Sequence, residues 1–257
     1  MPNLIRTQMR VIGAIAVREI NAQQTSLMYG YAWSLVDVGL SVLGLCVMKL
    51  VLRAFNPPGL PPATFVLTGA LPWFLFSALY HNAGPSIGRN RKLLSLPAIT
   101  ELDLIFGSSV QLIITYTIAF IIATVISSYF EHSGFPKFFL GVCIMYVGCI
   151  AIGISFGMMM MLLGRVYSPA GKFISFFMRF ALFLSSVYMP ITRFPTYIWP
   201  YLIWNPMLQI EELIRQYWFP NYVSPVGSPF YIAECILGMV ALGLLCERYT
   251  RVRMPLT

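Results

Sequence analysis

Charged residues are scarce in this chain. They make up 10% of its 257 residues, whereas hydrophobic residues make up 58%. A soluble domain of this size carries about a quarter charged residues, so the composition excludes a soluble surface. The apolar residues also cluster into runs of about 20, the length at which a helix crosses a bilayer core of about 30 Å. The composition therefore predicts a single membrane domain.

The residues and motifs of common active sites are also missing. Two histidines cannot supply a three-ligand or HExxH metal site. No GxSxG motif occurs, and the five cysteines include no CxxC pair. The segment from Gly164 to Lys172 comes nearest to a phosphate-binding loop, but its glycine spacing is wrong and Phe173 stands where Ser or Thr is required. We therefore predict that this chain has no catalytic residue and binds no metal or cofactor itself.

Six long apolar segments predict six membrane-spanning helices. They cover roughly residues 31–52, 64–87, 104–130, 138–163, 173–189 and 230–246, and Pro72 and Pro85 interrupt the second. Residues 190–229 are rich in proline and aromatic residues, and their apolar pieces are too short to span a bilayer. These pieces predict re-entrant or interfacial helices between the fifth and sixth spans. The predicted fold class is an all-α integral membrane protein, with residues 31–257 as one six-span domain.

An amphipathic helix is predicted before the first span, over residues 4–20, within an N-terminal cytoplasmic segment of residues 1–30. Its apolar stripe comprises Ile5, Met9, Ile12, Ala16 and Ile20. Three arginines lie off that stripe, namely Arg6, Arg10 and Arg18. This pattern is typical of a helix in the membrane interface with its arginines at the headgroups. The alternative is an ordinary surface helix that packs on the protein.

Basic residues are distributed unevenly between the two sides of the predicted bundle. Eleven Lys and Arg residues fall in the N-terminus, residues 88–103, residues 164–172 and the C-terminus, whereas four fall in the other connections. The positive-inside rule then places both termini in the cytoplasm and residues 190–229 on the exoplasmic side. We assign the net charge of +8 mainly to this orientation signal and predict no nucleic-acid partner. A weaker attraction for a polyanion is compatible with it.

Polar residues inside predicted spans are the default functional candidates, because they are costly in lipid. Arg179 either contacts an anionic substrate in a polar pathway, or pairs with Asp37 or Glu234, or extends its guanidinium to the membrane interface. His81 and Asn82, deep in the second span, either face a cavity or bond backbone carbonyls that the following proline frees.

Four stretches of the sequence resemble motifs of type-2 ABC exporter permeases. They are Tyr29–Asp37, Leu67–Ser77, Ser186–Pro190, and Leu202–Met207 together with Glu211–Arg215. Their order and spacing are most similar to those of the KpsM-like permeases of capsular polysaccharide exporters. The likeness extends over nearly the whole chain.

The resemblance implies a non-catalytic transport subunit that forms a homodimer and works with two copies of a separate ABC ATPase, which binds ATP and Mg²⁺. The implied substrate is a lipid-linked acidic polysaccharide, moved outward across the inner membrane of a Gram-negative bacterium. A periplasmic co-polymerase and an outer-membrane export protein would complete the path. The alternatives are a permease for O-antigen, teichoic acid, a small lipid or a drug, and, more remotely, a membrane-embedded glycosyltransferase that uses Glu101 and Asp103.

The resemblance also implies roles for residues on the cytoplasmic side. The basic loop after the second span becomes an ATPase-coupling segment, which comprises Arg89, Arg91, Lys92, Leu93 and Leu94. Its simpler interpretation is a positive-inside loop. The N-terminal arginines become lipid-headgroup contacts at a lateral entrance gate, and they are Arg6, Arg10 and Arg18.

Two further groups are expected along the transport path. The candidates for lining the substrate channel are Trp33, Trp73, Tyr80, His81, Arg179 and Tyr188. The candidates for an exoplasmic gate are Trp199, Trp204, Asn205 and Pro206. Aromatic residues in residues 194–222 suit a sliding sugar ring, and they equally suit a membrane interface in any protein. Glu211 and Glu212 are expected to have structural or helix-capping roles.

Overall fold

A computed structural model of the chain describes residues 8–19, 30–52, 60–96, 99–131, 134–167 and 169–253. In these residues the regular secondary structure is entirely helical. The α-helices are α1 (residues 8–19), α2 (Gly30–Leu52), α3 (Pro62–Arg89), α4 (Glu101–Glu131), α5 (Phe139–Val166), α6 (Ala170–Leu184), α7 (Trp199–Leu202), α8 (Pro206–Trp218) and α9 (Pro229–Arg253). Short 3₁₀ helices cover Arg91–Ser95, Ile191–Arg193 and Thr196–Ile198.

Four helices in the described part of the chain are long and apolar enough to cross a membrane. They are α3, α4, α5 and α9, with 28, 31, 28 and 25 residues. The predicted all-α membrane fold is thereby confirmed in its class. The other two predicted spans correspond to α2, with 23 residues, and α6, with 15.

α6 is shorter than the predicted fifth span, which was expected to reach residue 189. The helix ends at Leu184, and the chain turns at Ser185 and Ser186. Ser186 has a φ of 64°, a left-handed conformation that α-helical backbone cannot continue through. The predicted end was wrong because apolar residues continue past this turn, so hydropathy alone does not reveal it.

α3 is the central helix of the bundle, and α2, α4, α5 and α8 all pack against it. In its most apolar stretch 78% of the residues are buried, against 17% for α4 and 11% for α9. The sequence predicted that Pro72 and Pro85 interrupt this helix, yet it runs continuously from Pro62 to Arg89. Neighbouring helices contact α3 on several sides, and Cys149 Sγ of α5 lies 3.1 Å from the carbonyl oxygen of Pro72. Packing therefore holds the helix together across both prolines.

Close approach of α5 to α3 depends on a GxxxG pattern, Gly153 to Gly157. A Cβ atom at Gly153 would lie 3.1 Å from the side chain of Leu79, and one at Gly157 would lie 3.1 Å from Cα of Tyr80. Any larger residue would push the two helices apart. The pattern is therefore a real helix contact of the kind found between membrane helices.

α1 packs on the protein through a face that differs from the predicted stripe. Ile15 and Ala16 are 3% and 5% exposed, whereas Met9 is 68% exposed. Ile15 lies so close to Gly107 of α4 that a Cβ atom at this glycine would come within 2.6 Å of it. The stripe was predicted to face the acyl boundary, and the exposure of Met9 is compatible with that, whereas Ala16 of the same stripe is buried against the protein. Ile5 and Ile20 lie outside the described residues.

The segment between α6 and α9 folds into the short helices that the sequence predicts. α8 begins at Pro206, and the Asn205 side chain caps it by accepting the backbone N–H of Met207 at 3.0 Å and that of Leu208 at 3.5 Å. Proline in the first turn needs no N–H partner, so Asn-Pro is a strong helix start. Ten of the thirteen residues of α8 are buried, so this helix belongs to the core of the bundle.

Candidate transport and coupling sites

A basic turn follows α3 and contains four of the five predicted coupling residues. Arg91 and Lys92 are exposed on the 3₁₀ helix Arg91–Ser95, while Leu93 and Leu94 are half-buried. Leu94 packs against the apolar cluster between α3, α4 and α5. The turn therefore presents charge outward and is fixed to the bundle by a leucine.

The fifth predicted coupling residue, Arg89, joins three helices. Its Nη2 lies 3.0 Å from Oε1 of Glu19, at the end of α1, and donates to Oδ1 of Asn82 at 2.9 Å. Asn82 Nδ2 in turn donates to Ser108 Oγ of α4 at 2.7 Å. Asn82 thus bonds side chains of α3 and α4 rather than a carbonyl freed by proline. This chain of contacts ties the base of the basic turn to α1 and α4.

The start of α4 is held by two acidic residues. Asp103 accepts the backbone N–H and the hydroxyl of Thr100, both at 2.8 Å, and Gln8 of α1 donates to its other oxygen. Glu101 pairs with Arg165 at the end of α5 at 2.9 Å. The two acids that a membrane-embedded glycosyltransferase would need for chemistry are therefore engaged in helix capping and an ion pair.

A cavity of about 500 Å³ lies between α3, α5 and α6, beside the basic turn. Tyr80 and His81 line it, with ring centroids 4.1 Å apart, and so do Arg91 and Arg165. Arg179 is exposed on α6, close enough that its charge acts on both Tyr80 and His81. Three predicted channel residues, Tyr80, His81 and Arg179, therefore lie in one region.

Arg179 forms no ion pair among the residues that the structure describes. Asp37 and Glu234, its two expected partners, are both exposed on other helices. Among the described residues neither expected pair is therefore formed, and Arg179 lines a smaller neighbouring cavity with Gly171 and Ser175.

The other predicted channel residues are scattered. Trp33 is 70% exposed on α2, whereas Trp73 is buried in the core and packs against Phe76. Tyr188 stacks on Phe183, with ring centroids 4.9 Å apart. The structure does not bring these three residues to the cavity.

The predicted gate residues surround the start of α8. Trp199 Nε1 donates to the carbonyl oxygen of Phe194 at 3.0 Å, and the carbonyl of the exposed Trp204 accepts the Tyr231 hydroxyl at 2.9 Å. Asn205 Nδ2 donates to Ser185 Oγ at 2.8 Å, and Pro206 is the first residue of α8. These contacts connect α6, α7, α8 and α9.

The predicted lipid contacts on α1 are only partly described. Arg10 and Arg18 are exposed on α1. Arg6 lies outside the described residues.

A fully buried polar cluster on α8 was missed from the sequence. Arg215 Nη1 lies 3.4 Å from Glu212 Oε1 and donates to Ser186 Oγ at 2.7 Å. Glu212 Oε2 accepts from Tyr222 at 2.6 Å and from Ser224 at 3.0 Å. Charge counting assigned Arg215 to a connection between spans and did not indicate its complete burial. The Glu-x-x-Arg spacing, which puts both side chains on one helix face, is the signal that could have revealed the pair.

Two cations flank one aromatic ring beside this cluster. The Arg215 guanidinium carbon and Lys49 Nζ of α2 each lie 3.8 Å from the centroid of Phe65. Lys49 is buried, and among the described residues its ammonium has no hydrogen-bond acceptor. The ring face is therefore its main compensation for burial.

Glu211 stands in contrast to its neighbour Glu212. It is fully buried, and neither carboxyl oxygen has a hydrogen-bond partner among the described residues. Burial raises the pKa of this carboxyl well above its usual range, although Arg215 acts in the opposite direction.

Known proteins similar to this chain are capsule exporters. No family model matches the sequence. The polysialic acid transport protein KpsM of Escherichia coli is 25% identical over 250 residues, which cover 96% of this chain and 95% of KpsM. The capsule polysaccharide export inner-membrane protein CtrC of Neisseria meningitidis serogroup A is 28% identical over 240 residues, 92% of this chain and 89% of CtrC. BexB of Haemophilus influenzae, which carries the same description, is 23% identical over 93% of this chain and 90% of BexB. The resemblance to capsular polysaccharide export permeases that the sequence motifs indicate is thereby confirmed across more than nine-tenths of the chain.

Proposed function

We propose that this chain is the transmembrane permease subunit of an ABC exporter that moves a lipid-linked, acidic capsular polysaccharide across the inner membrane. The observation that carries the proposal is the similarity to three capsule and polysialic acid exporters over nearly their full lengths. A helical bundle with four helices able to cross a membrane is compatible with it.

The proposed arrangement has six spans, with α2 and α6 as the first and fifth. The outward surfaces of both helices support this. Leu40, Leu43 and Val47 are exposed on α2, and α6 exposes five phenylalanines, Phe173, Phe176, Phe177, Phe180 and Phe183. Such surfaces suit lipid or a second copy of the chain rather than water. The segment with α7 and α8 is then re-entrant on the exoplasmic side, and both termini are cytoplasmic.

The motor in this proposal is a separate ATPase, present in two copies, which binds ATP and Mg²⁺. Its contact is the basic turn after α3, where Arg91 and Lys92 are exposed and Leu94 and Arg89 fix the turn to the bundle. A rigid, outward-facing turn is what a mechanical contact between subunits requires.

The remaining partners are proposed by analogy with the family. The permease forms a homodimer in the inner membrane of a Gram-negative bacterium, and a periplasmic co-polymerase and an outer-membrane export protein carry the polymer onward. Exposed Arg10 and Arg18 on α1 are available to contact lipid phosphates at a lateral entrance.

Deletion of the chain tests the function. We expect polymer to accumulate inside the cell with none on the surface, and expression of the intact chain should restore surface polymer. Unchanged surface polymer in the deletion strain would overturn the assignment.

Charge reversal tests the coupling turn. The double variant Arg91→Glu/Lys92→Glu should abolish export while the protein still inserts into the membrane, because repulsive charge would face the ATPase. The matched control reverses two exposed charges in the connections predicted to be exoplasmic, Lys137→Glu/Arg193→Glu, and should export normally. Equal export by both double variants would remove the coupling role from the turn.

A further inference from the structure

The cavity between α3, α5 and α6 is lined by charges of one sign. Arg91 and Arg165 contribute the formal charges, and among the described residues that line it there is no Asp or Glu. Its volume of about 500 Å³ falls within the range of small-molecule sites, about 300–1,000 Å³. Glu101 lies outside the lining and pairs with Arg165, so Arg91, Arg165 and Glu101 together carry a formal charge of +1, which still favours an anion.

Four glycines keep this cavity open. Gly84 and Gly88 come from α3, Gly164 from α5 and Gly171 from α6. A Cβ atom at any of the four would meet nothing within 4 Å, and none has the positive φ that favours glycine. Glycine inside a helix costs about 1 kcal/mol relative to alanine. Gly13, Gly39, Gly44 and Gly238 have equally open surroundings elsewhere, so the four cavity glycines provide room for a bound group without by themselves indicating one.

The positive-inside rule explains why basic residues occur near one end of the helices, but it does not explain why Arg91 and Arg165 line the same cavity. Arg165 is only 16% exposed in its side chain, and its ion pair with Glu101 fixes the guanidinium beside the cavity. A fixed cation loses little entropy when it binds an anion, so it is suited to recognition.

The anionic preference extends along α6. A second cavity, of about 390 Å³, shares Gly171 and Ser175 with the first and is lined at its far end by Arg179. Tyr80 and His81 form an aromatic pair in the wall of the first cavity. The pair offers flat faces with polar edges, which can stack on a sugar ring.

We propose that this cavity binds the anionic end of a sugar, with Arg91 and Arg165 contacting its phosphate or carboxylate and the Tyr80–His81 pair contacting its ring. The proposal rests on the proposed export function, since it gives that function a docking site for the acidic group of the substrate. Arg91 belongs both to this site and to the coupling turn, so an occupied site acts directly on the residue that faces the ATPase.

Binding to the purified full-length chain tests this site, with ligand-observed NMR in detergent and glucose 1-phosphate as the probe. Glucose 1-phosphate should bind and glucose should not. Glycerol phosphate, which presents the anion of a lipid headgroup without a sugar, should compete more weakly. Arg91→Gln should weaken binding roughly tenfold or more, as expected when a charge-assisted hydrogen bond is lost. Gly88→Leu should weaken it by at least as much, because the leucine side chain fills the cavity.

A matched glycine provides the control. Gly238 of α9 also has open space around it but does not line the cavity, so Gly238→Leu should bind as the unmodified chain does. Unchanged binding in Gly88→Leu, or glucose binding as tightly as glucose 1-phosphate, would overturn the site. Glycerol phosphate binding as tightly as glucose 1-phosphate would overturn its sugar-recognising part and indicate a lipid phosphate as the ligand.

Failure of this site can be separated from failure of the export function. The binding measurement needs neither ATPase nor export. Absent binding in a chain whose deletion still abolishes surface polymer overturns only the site. Binding by a chain whose deletion leaves surface polymer unchanged overturns only the export function.

Discussion

Two adjacent acids on α8 should differ in how much stability the protein loses when each is replaced by its amide. Glu212 accepts hydrogen bonds from Tyr222 and Ser224 and pairs with Arg215, all inside the protein. In Glu212→Gln the side-chain amide presents its N–H groups to the Tyr222 and Ser224 hydroxyls, which need an acceptor. It also leaves the Arg215 cation buried without its counter-charge. Breaking a buried pair in this way costs about 3–5 kcal/mol. For a chain of this length that lowers the melting temperature on the order of 10 °C.

Glu211 has the same burial but no hydrogen-bond partner among the described residues. At about pH 4, where the carboxyl is protonated in the folded state and largely so in the unfolded chain, Glu211→Gln replaces one unbonded neutral group by another of the same size, so we expect a change of less than about 1 kcal/mol. Glu211→Met should stabilise the protein by about 1–3 kcal/mol, because it removes a buried polar group whose desolvation is not offset.

Thermal unfolding of the purified chain in detergent, followed by circular dichroism, measures both effects. The neighbouring positions serve as controls for each other, since the two side chains share a helix, a chemistry and full burial. If Glu211→Gln destabilises the protein as much as Glu212→Gln, the carboxyl of Glu211 has a partner in the assembled exporter or in lipid, and the reasoning from this structure fails.

The pH dependence of stability gives a second measurement on Glu211, which lies on a helix too short to span the membrane. Burial raises the pKa of its carboxyl in the folded state above the unfolded value of about 4.3. Between those two values the folded protein holds a proton that the unfolded chain has lost. The contribution is fully present below the unfolded pKa, and it falls by up to about 1.4 kcal/mol per pH unit as pH rises toward the folded pKa. Glu211→Gln should flatten this slope, and an unchanged slope would assign it to other groups.

Three further predictions concern contacts at other helix ends and crossings. Glu19→Arg and Arg89→Glu should each reduce export, and the double swap, which re-forms the ion pair, should restore it. Each single variant should cost at most about 1 kcal/mol of stability, because the pair is partly exposed. Failure of the double swap to restore export would contradict a role for this contact. Gly69→Ala should lower the free energy of unfolding by about 1–3 kcal/mol, and with it the melting temperature, since its Cβ atom would collide with Arg215 Nη2. An unchanged melting temperature would show that the arginine can move. Asn205→Ala should cost about 1 kcal/mol through loss of the α8 cap, measured by the same melt, whereas Asn205→Asp should retain most of the stability.

The class of fold was predictable because hydropathy reports directly on membrane crossing. Long apolar runs predicted α3, α4 and α5 within about three residues at each end, and the start of α9 within one, whereas α9 continues to Arg253, beyond the predicted end at residue 246. The start of α8 carries a signal that is also local, because an asparagine cap followed by proline favours a helix start through its own backbone. Features that one or two residues determine through their own backbone were therefore readable from the sequence.

Features that depend on packing were not readable. Ser186 adopts its left-handed conformation where its hydroxyl meets Glu212 and Arg215, and nothing local marks this turn. Pro72 and Pro85 suggested breaks in α3, but the helices around α3 keep it continuous. Packing also separates the candidate channel residues, since an aromatic side chain such as Trp73 fits a core as well as a pathway, and their transport role stays a prediction.

The attachment of α1 changes how force would pass through the proposed exporter. Gln8, Ile15 and Glu19 are spaced by seven and four residues, so they lie on one helix face, and each contacts α4 or the end of α3. A helix held at three points along its length cannot drift independently in the membrane interface. Glu19 is bonded to Arg89, two residues before the basic turn, so a displacement of that turn by an ATPase must either carry α1 with it or break this ion pair. If the basic turn contacts the ATPase as proposed, α1 should move with it, and the Glu19–Arg89 contact is the point at which the two can be uncoupled.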